Sequence, residues 1–257
     1  LSTCDGGGLP TAAGANETFQ ALDALAEHPS TAEYVSTKLL QRYVAENPTQ
    51  AMIDTVVAEW NDLGNPAGRG DMREVLRAIF NMPEFRGPDY VHAKVRTPME
   101  HLAASFRATR GKTDGYTELL NGSDFIETMQ HMPYLVNEPT GFSEIGADWI
   151  GTNNMLERQK FGLQFTTNVD IETEPIFGAD VIPLLNDNGV STLPGNAEAI
   201  VDFMAETLFG GAITPAERQA ALDYLNTDDD GIVSPYDDAR IKETFGFMLG
   251  FARYLEQ

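Results

Sequence analysis

The sequence predicts an all-α protein, an irregular multi-helix bundle with long ordered loops and a C-terminal EF-hand-like helix-loop-helix. Three observations predict it. Apolar residues recur at three- and four-residue spacing through most of the chain. At four helix starts Ser, Thr or Asp stands three residues before Glu, the capping-box pattern in which two orphan amides are satisfied reciprocally. No long alternating apolar and polar run argues for a sheet.

In chain order, residues 1–15 (LSTCDGGGLPTAAGA) are small, Gly-rich and unperiodic, and read as a flexible N-terminal segment. A main helical domain, 16–168, follows. NETFQALDALAEH places Phe19, Leu22, Leu25 and Ala26 on one face, and STAEYVSTKLLQRYVAE does so with Tyr34, Val35, Leu39, Leu40 and Tyr43. Similar stripes mark AMIDTVVAEWNDL, MREVLRAIFNM, PMEHLAASFRAT, LLNGSDFIETMQHM and NMLERQKFGLQF. The capping boxes pair Ser30 with Glu33, Asp71 with Glu74, Thr97 with Glu100 and Thr214 with Glu217. Pro98 and Pro215 take the first helical position, where a missing N–H costs nothing. Between His131 and Gly151 the period is lost in HMPYLVNEPTGFSEIGADWIG, an aromatic, Pro- and Gly-rich stretch of the length that is usually ordered and functional. Residues 169–194 read as an irregular connector. A C-terminal helical segment, 195–257, then carries AEAIVDFMAETLF, TPAERQAALDYL and ARIKETFGFMLGFARYLEQ.

The balance of 39 acidic to 17 basic residues, a formal charge of -22, disfavours nucleic acid and anionic membrane surfaces, which are held by Lys and Arg clusters. Cations are the natural partners. No apolar run approaches the roughly 18 residues of a membrane span. The single cysteine, Cys4, excludes an internal disulfide and a thiolate metal cluster. With no charged n-region or apolar h-region at its start, the sequence reads as a processed product or a fragment.

One stretch specifies a chemistry by residue type and spacing together. NTDDDGIVSPYDD, 226–238, lies between two helical segments and matches a twelve-residue calcium loop. Asn226, Asp228, Asp230, the Ile232 carbonyl, Ser234 and Asp237 would be the ligands, with Gly231 at the sharp bend and Val233 pointing into the core. Asn in place of Asp at position 1, and Asp in place of Glu at position 12, depart from the usual loop. The bland reading is an acidic turn. Calcium is preferred because three carboxylates packed without a cation repel one another, and its role would be structural.

Four ordered phrases carry a resemblance: HPSTAEYVSTKLLQRYV from His28, GDMREVLRAIFNMPEF from Gly70, KVRTPMEHLAASFRA from Lys94 and EPTGFSEIGADWIGTNNMLERQKF from Glu138. Together they resemble the C-terminal half of the bacterial domain-of-unknown-function family 1800, over roughly Glu17 to Asn168 with a looser fit to the end. The resemblance implies a mostly helical, exported bacterial protein, often encoded beside a sulfatase-like partner. It implies no reaction. Members usually carry an N-terminal half with a Trp/His-rich motif, which this sequence lacks.

Beyond the acidic loop, the 131–151 stretch offers His131, Tyr134, Glu138, Phe142, Asp148 and Trp149 as a possible ligand loop. Glu138, Glu144 and Asp148 could supply a carboxylate pair for glycoside hydrolysis, although acidic residues this frequent pair by chance. Trp149, Tyr134 and Phe142 could stack on sugars or a partner, or form the packed underside of the loop. The four histidines, His28, His92, His101 and His131, show no metal-ligand spacing and read as structural, His131 being the best functional candidate. Lys94, Arg96 and Arg158 could bind an anion, ion pairs within the chain being their simpler use. These readings lead to an exported, calcium-stabilised binding or assembly protein of the cell envelope or extracellular space, acting with a protein partner. The alternative is part of an enzyme acting on an extracellular polymer, its active site shared with an absent N-terminal half.

Overall fold

The computed structural model describes residues 12–113, 123–136, 139–167 and 177–256. The chain divides into two compact units, Leu1–Ala93 and Lys94–Gln257. The first is built on α1 (Ala12–Glu27), α2 (Pro29–Tyr43), α3 (Gln50–Trp60) and α4 (Met72–Asn81). Leu40, Met52, Val56, Trp60, Val75 and Ile79 form its core. Helix α1 begins inside the stretch expected to be flexible, and residues 1–11 lie outside the described residues. Its predicted apolar face is exposed: Phe19 is 64%, Leu22 55% and Leu25 64% accessible.

Two expected capping boxes give way to other caps. Pro29 takes the first position of α2, so His28 is the N-cap and its Nδ1 accepts from Ser30 N at 3.1 Å. Ser30 is thereby already helical and cannot cap Glu33. At α4 the Asp71 carboxylate accepts from Arg73 N at 3.1 Å and Ala67 N at 3.0 Å, while Glu74 turns to Arg77 at 2.7 Å.

The second unit holds α5 (Pro98–Thr109), α6 (Ser123–Thr128), α7 (Thr152–Thr167), α8 (Val181–Asp187), α9 (Ala197–Phe209), α10 (Pro215–Leu225) and α11 (Asp238–Leu249). Both expected boxes form here, Thr97 with Glu100 on α5 and Thr214 with Glu217 on α10. The central contact is α7 against α11, at Gly162 and Gly246. A Cβ on Gly162 would lie 2.5 Å from the Gly246 carbonyl oxygen, and one on Gly246 2.7 Å from that of Gly162. Two glycines therefore bring the helix backbones together, at about 1 kcal/mol of helix propensity each. Phe161, Phe165, Ile200, Met204, Ile241 and Phe245 pack around that seam and are fully buried.

The all-α class holds, the described strands being β1 (Lys112–Thr113) and β2 (Phe177–Gly178), paired antiparallel. Several boundaries differ from expectation. The 169–194 connector contains β2 and α8, α8 capped by Asp180 on Ile182 N at 3.2 Å, although residues 168–176 lie outside the described residues. The two compact units divide between Ala93 and Lys94, within the 16–168 span read as the main helical domain. The last helix stops at Leu249, Gly250 caps it, and the chain turns into a 3-10 segment, Ala252–Leu255.

Candidate functional site

Helix α10 ends at Leu225, and Asn226 caps it with its Nδ2 donating to Leu222 O at 2.8 Å. The acidic loop then closes on itself. Asp228 Oδ1 accepts from Asp230 N at 3.1 Å and Ile232 N at 2.8 Å, and Asp228 N donates to the Ile232 carbonyl at 2.9 Å. Gly231 takes φ 75°, the left-handed conformation the bend requires. Thr227 and Val233 face each other in an antiparallel bridge, and Ser234 N donates to Asn226 O at 3.0 Å. Asp237 is the N-cap of α11, accepting from Arg240 N at 2.9 Å. Tyr236 anchors the exit, its hydroxyl donating to Leu193 O and accepting from Asn196 N, both at 2.8 Å.

This geometry corrects one part of the calcium-loop assignment. Val233 does not point into the core; it is 83% accessible, because the bridge to Thr227 turns it outward. The Ile232 carbonyl and one oxygen each of Asp228 and Asp237 are engaged by backbone amides. Among the described residues no three His, Cys, Asp or Glu side chains converge where they could hold a metal. The donors are chemically suited to a hard cation, but as arranged they form a closed turn.

The sequence reading missed Arg240. Its guanidinium donates to Asp229 at 3.0 Å, to Glu243 at 2.8 Å and to the Tyr224 carbonyl at 2.9 Å, and lies 4.1 Å from the Tyr224 ring centroid. The chain thus supplies a cation to its own acidic loop. Arg240 and Glu243 stand three apart on one helix, a spacing that could have suggested their pairing but not the contact with Asp229. Asp228, Ser234, Tyr236, Asp237, Arg240 and Glu243 line a cavity of about 280 Å³ beside the loop.

The second candidate, the 131–151 stretch, begins where the turn after α6 delivers His131. The His131 ring lies 4.3 Å from Phe142 and 4.7 Å from Trp149, and its Nδ1 accepts from Met99 N at the start of α5, at 3.3 Å. Trp149 is buried in a 3-10 turn, Gly146–Trp149, and donates from Nε1 to Ser143 O at 2.9 Å. His131, Phe142 and Trp149 are thus brought together as a packed base. Tyr134 and Leu135 are not part of it, being 100% and 68% accessible, and Asp148 is exposed. Glu138 lies outside the described residues. Lys94 pairs with Glu144 at 3.4 Å, the ion-pair use expected for it.

A family model described as a protein of unknown function, DUF1800, matches residues 5–249 of the 257. The chain belongs to the DUF1800 family. The match corrects the assignment to the family's C-terminal half, since it extends from residue 5 almost to the end rather than over 17–168. Comparison with curated proteins and with solved structures found no match. No described helix of this DUF1800 protein is long and apolar enough to cross a membrane.

Proposed function

We propose that this DUF1800 protein is a binding or assembly component of the cell envelope or extracellular space, and that a protein partner docks on the 131–151 loop. The observation that supports it is the loop's construction. A fully exposed tyrosine, Tyr134, takes φ 65° beside exposed Leu135 in a turn closed by Leu135 N on Met132 O at 3.2 Å. Positive φ on a bulky residue is unfavourable, and the turn presents the side chain to solvent. An ordered Tyr with an adjacent aliphatic is the composition of an interface core. The enzyme reading asked for a cleft around His131, Glu138 and Asp148. Rings fill the space around His131 instead, which favours binding over catalysis.

Export is supported by the family resemblance and the acidic surface, and the partner we infer is the sulfatase-like protein encoded beside such genes. Calcium enters this reading as a structural ion of the 226–238 loop. The oxygen-rich sequence supports it, and the closed turn counts against a preformed, tight site.

The test is co-elution of the purified chain with that sulfatase-like protein, wild type beside Tyr134→Ala/Leu135→Ser. The double variant should weaken association at least tenfold, as loss of an interface anchor does. Its stability should stay within about 0.5 kcal/mol, because both side chains are exposed. Undiminished binding by a folded double variant would remove the loop from the interface.

A further inference from the structure

The second unit buries a cationic cluster that the function proposed above does not use. His101 on α5 is 0% accessible, Arg158 on α7 1%, and Tyr254 in the C-terminal 3-10 turn 1%. His101 and Tyr254 rings meet edge-on at 5.2 Å, His101 meets Phe161 at 5.6 Å, and the Arg96 guanidinium lies 4.5 Å from the Tyr254 ring centroid. Arg96 also donates to the Tyr254 carbonyl, and Arg158 Nη2 donates to the Arg96 carbonyl at 2.8 Å. These bonds tie the start of α5, α7 and the C-terminal turn into one knot.

Among the described residues, four buried atoms of the knot have no hydrogen-bond partner, both ring nitrogens of His101 and Nε and Nη1 of Arg158, and the Tyr254 hydroxyl has only the Ser105 side chain beside it. A buried polar atom left unpaired costs about 1–3 kcal/mol, and an unpaired buried charge considerably more. Natural structures rarely retain so many together without something satisfying them. Charge points the same way. Glu100 is the carboxylate that acts on both Arg96 and Arg158, and it also closes the Thr97 capping box. Two guanidiniums against one carboxylate leave one positive charge in excess. Burial and the two arginines keep His101 neutral, well below its usual pKa, so it adds no further charge and offers one N–H donor.

We infer that the knot of Arg158, His101 and Tyr254 is a binding site for a small monovalent anion, with chloride as the physiological occupant. The donors available are Arg158 Nε–H, the Tyr254 O–H and one imidazole N–H. These donor types suit a halide, which accepts from any direction. A phosphate or sulfate would bring a second negative charge for which no cation is left over. The near-zero accessibility of His101, Arg158, Tyr254 and Phe161 leaves no mouth for an organic anion.

The full chain is melted in sodium gluconate with bromide or chloride substituted at constant ionic strength, and crystals grown in bromide are examined for anomalous scattering. The expected result is a saturable, halide-dependent rise in Tm, as for a ligand that binds only the folded state. Anomalous density should lie within hydrogen-bond reach of Arg158 Nε. Tyr254→Phe, which keeps the ring packing, should shift the halide midpoint several-fold upward, and Arg158→Leu should abolish the dependence. Identical melting in gluconate and bromide overturns the site, as does ordered water alone at that position. If Arg158→Leu does not fold, Tyr254→Phe and the anomalous map decide.

Discussion

His101 shows how far one residue's environment can depart from what its neighbours in sequence suggest. In PMEHLAASFRAT it reads as an ordinary helical histidine; in the fold it is enclosed by Phe161, Tyr254 and two arginines. Burial first, then Arg158 and Arg96, push its pKa well below the usual 6.5, and burial and Arg96 lower Arg158 to about 10. The charged and titratable groups that act on or pack against His101 are Arg158, Arg96 and Tyr254. Because the folded pKa is depressed, this histidine's contribution to stability is fully present above about pH 6.5. It is lost as pH falls below that value, since the unfolded chain takes up a proton that the folded chain refuses. Between pH 7 and 5 the unfolding free energy should therefore fall by up to about 1.4 kcal/mol per pH unit, and His101→Phe should flatten the slope. Equal slopes for wild type and variant in denaturant titrations would show that the site does not titrate in this way. Sequence could not reveal this, because Arg158, Arg96 and the rings that bury His101 come from separate segments. By contrast His28 was legible as a helix-start residue, since Pro29 fixes the position beside it.

At the scale of elements, most helices were legible because their apolar period and caps agree, as at Thr97 and Thr214. The α7–α11 seam was not. Gly162 and Gly246 look like weak points in helical stripes, 84 residues apart, and nothing in their local sequence says that each is the other's close contact. Replacing Gly246 by Ala places a methyl 2.7 Å from Gly162 O, Leu163 Cα and Thr166 Oγ1, two of them backbone atoms that cannot rotate away. The gain in helix propensity, about 1 kcal/mol, is outweighed by overpacking. The expected net loss is about 1–3 kcal/mol, read as a lower denaturant midpoint with unchanged m-value. Gly151→Ala, where the methyl meets open space, should stay within about 0.5 kcal/mol. A Gly246→Ala protein as stable as wild type would mean that the helices separate at little cost. The acidic loop shows a related limit of spacing. Spacing listed the oxygens but not their competitors, the Asp230 and Ile232 amides on Asp228 and the Arg240 amide on Asp237.

For the whole molecule the dominant quantity is a charge of -22. Self-repulsion at that charge destabilises the compact state, and added salt relieves it within a Debye length of about 10 Å at 0.1 M. Any monovalent salt should therefore raise Tm up to about that concentration, which is why the anion test above holds ionic strength constant. Calcium must be separated from the same background by matching it with magnesium. Screening is common to both ions. The 226–238 loop would add only a calcium-specific increment, because a site built from carboxylates and carbonyls suits the larger ion, while magnesium keeps its waters. The turn must give up its internal bonds to bind, so the increment should appear at millimolar rather than micromolar calcium, the range of extracellular modules. Asp228→Ala/Asp230→Ala should abolish it while leaving the rise with magnesium in place. Identical curves for the two ions at several millimolar would make Arg240 the loop's only counter-charge. The segment would then be an acidic turn that the chain neutralises from within.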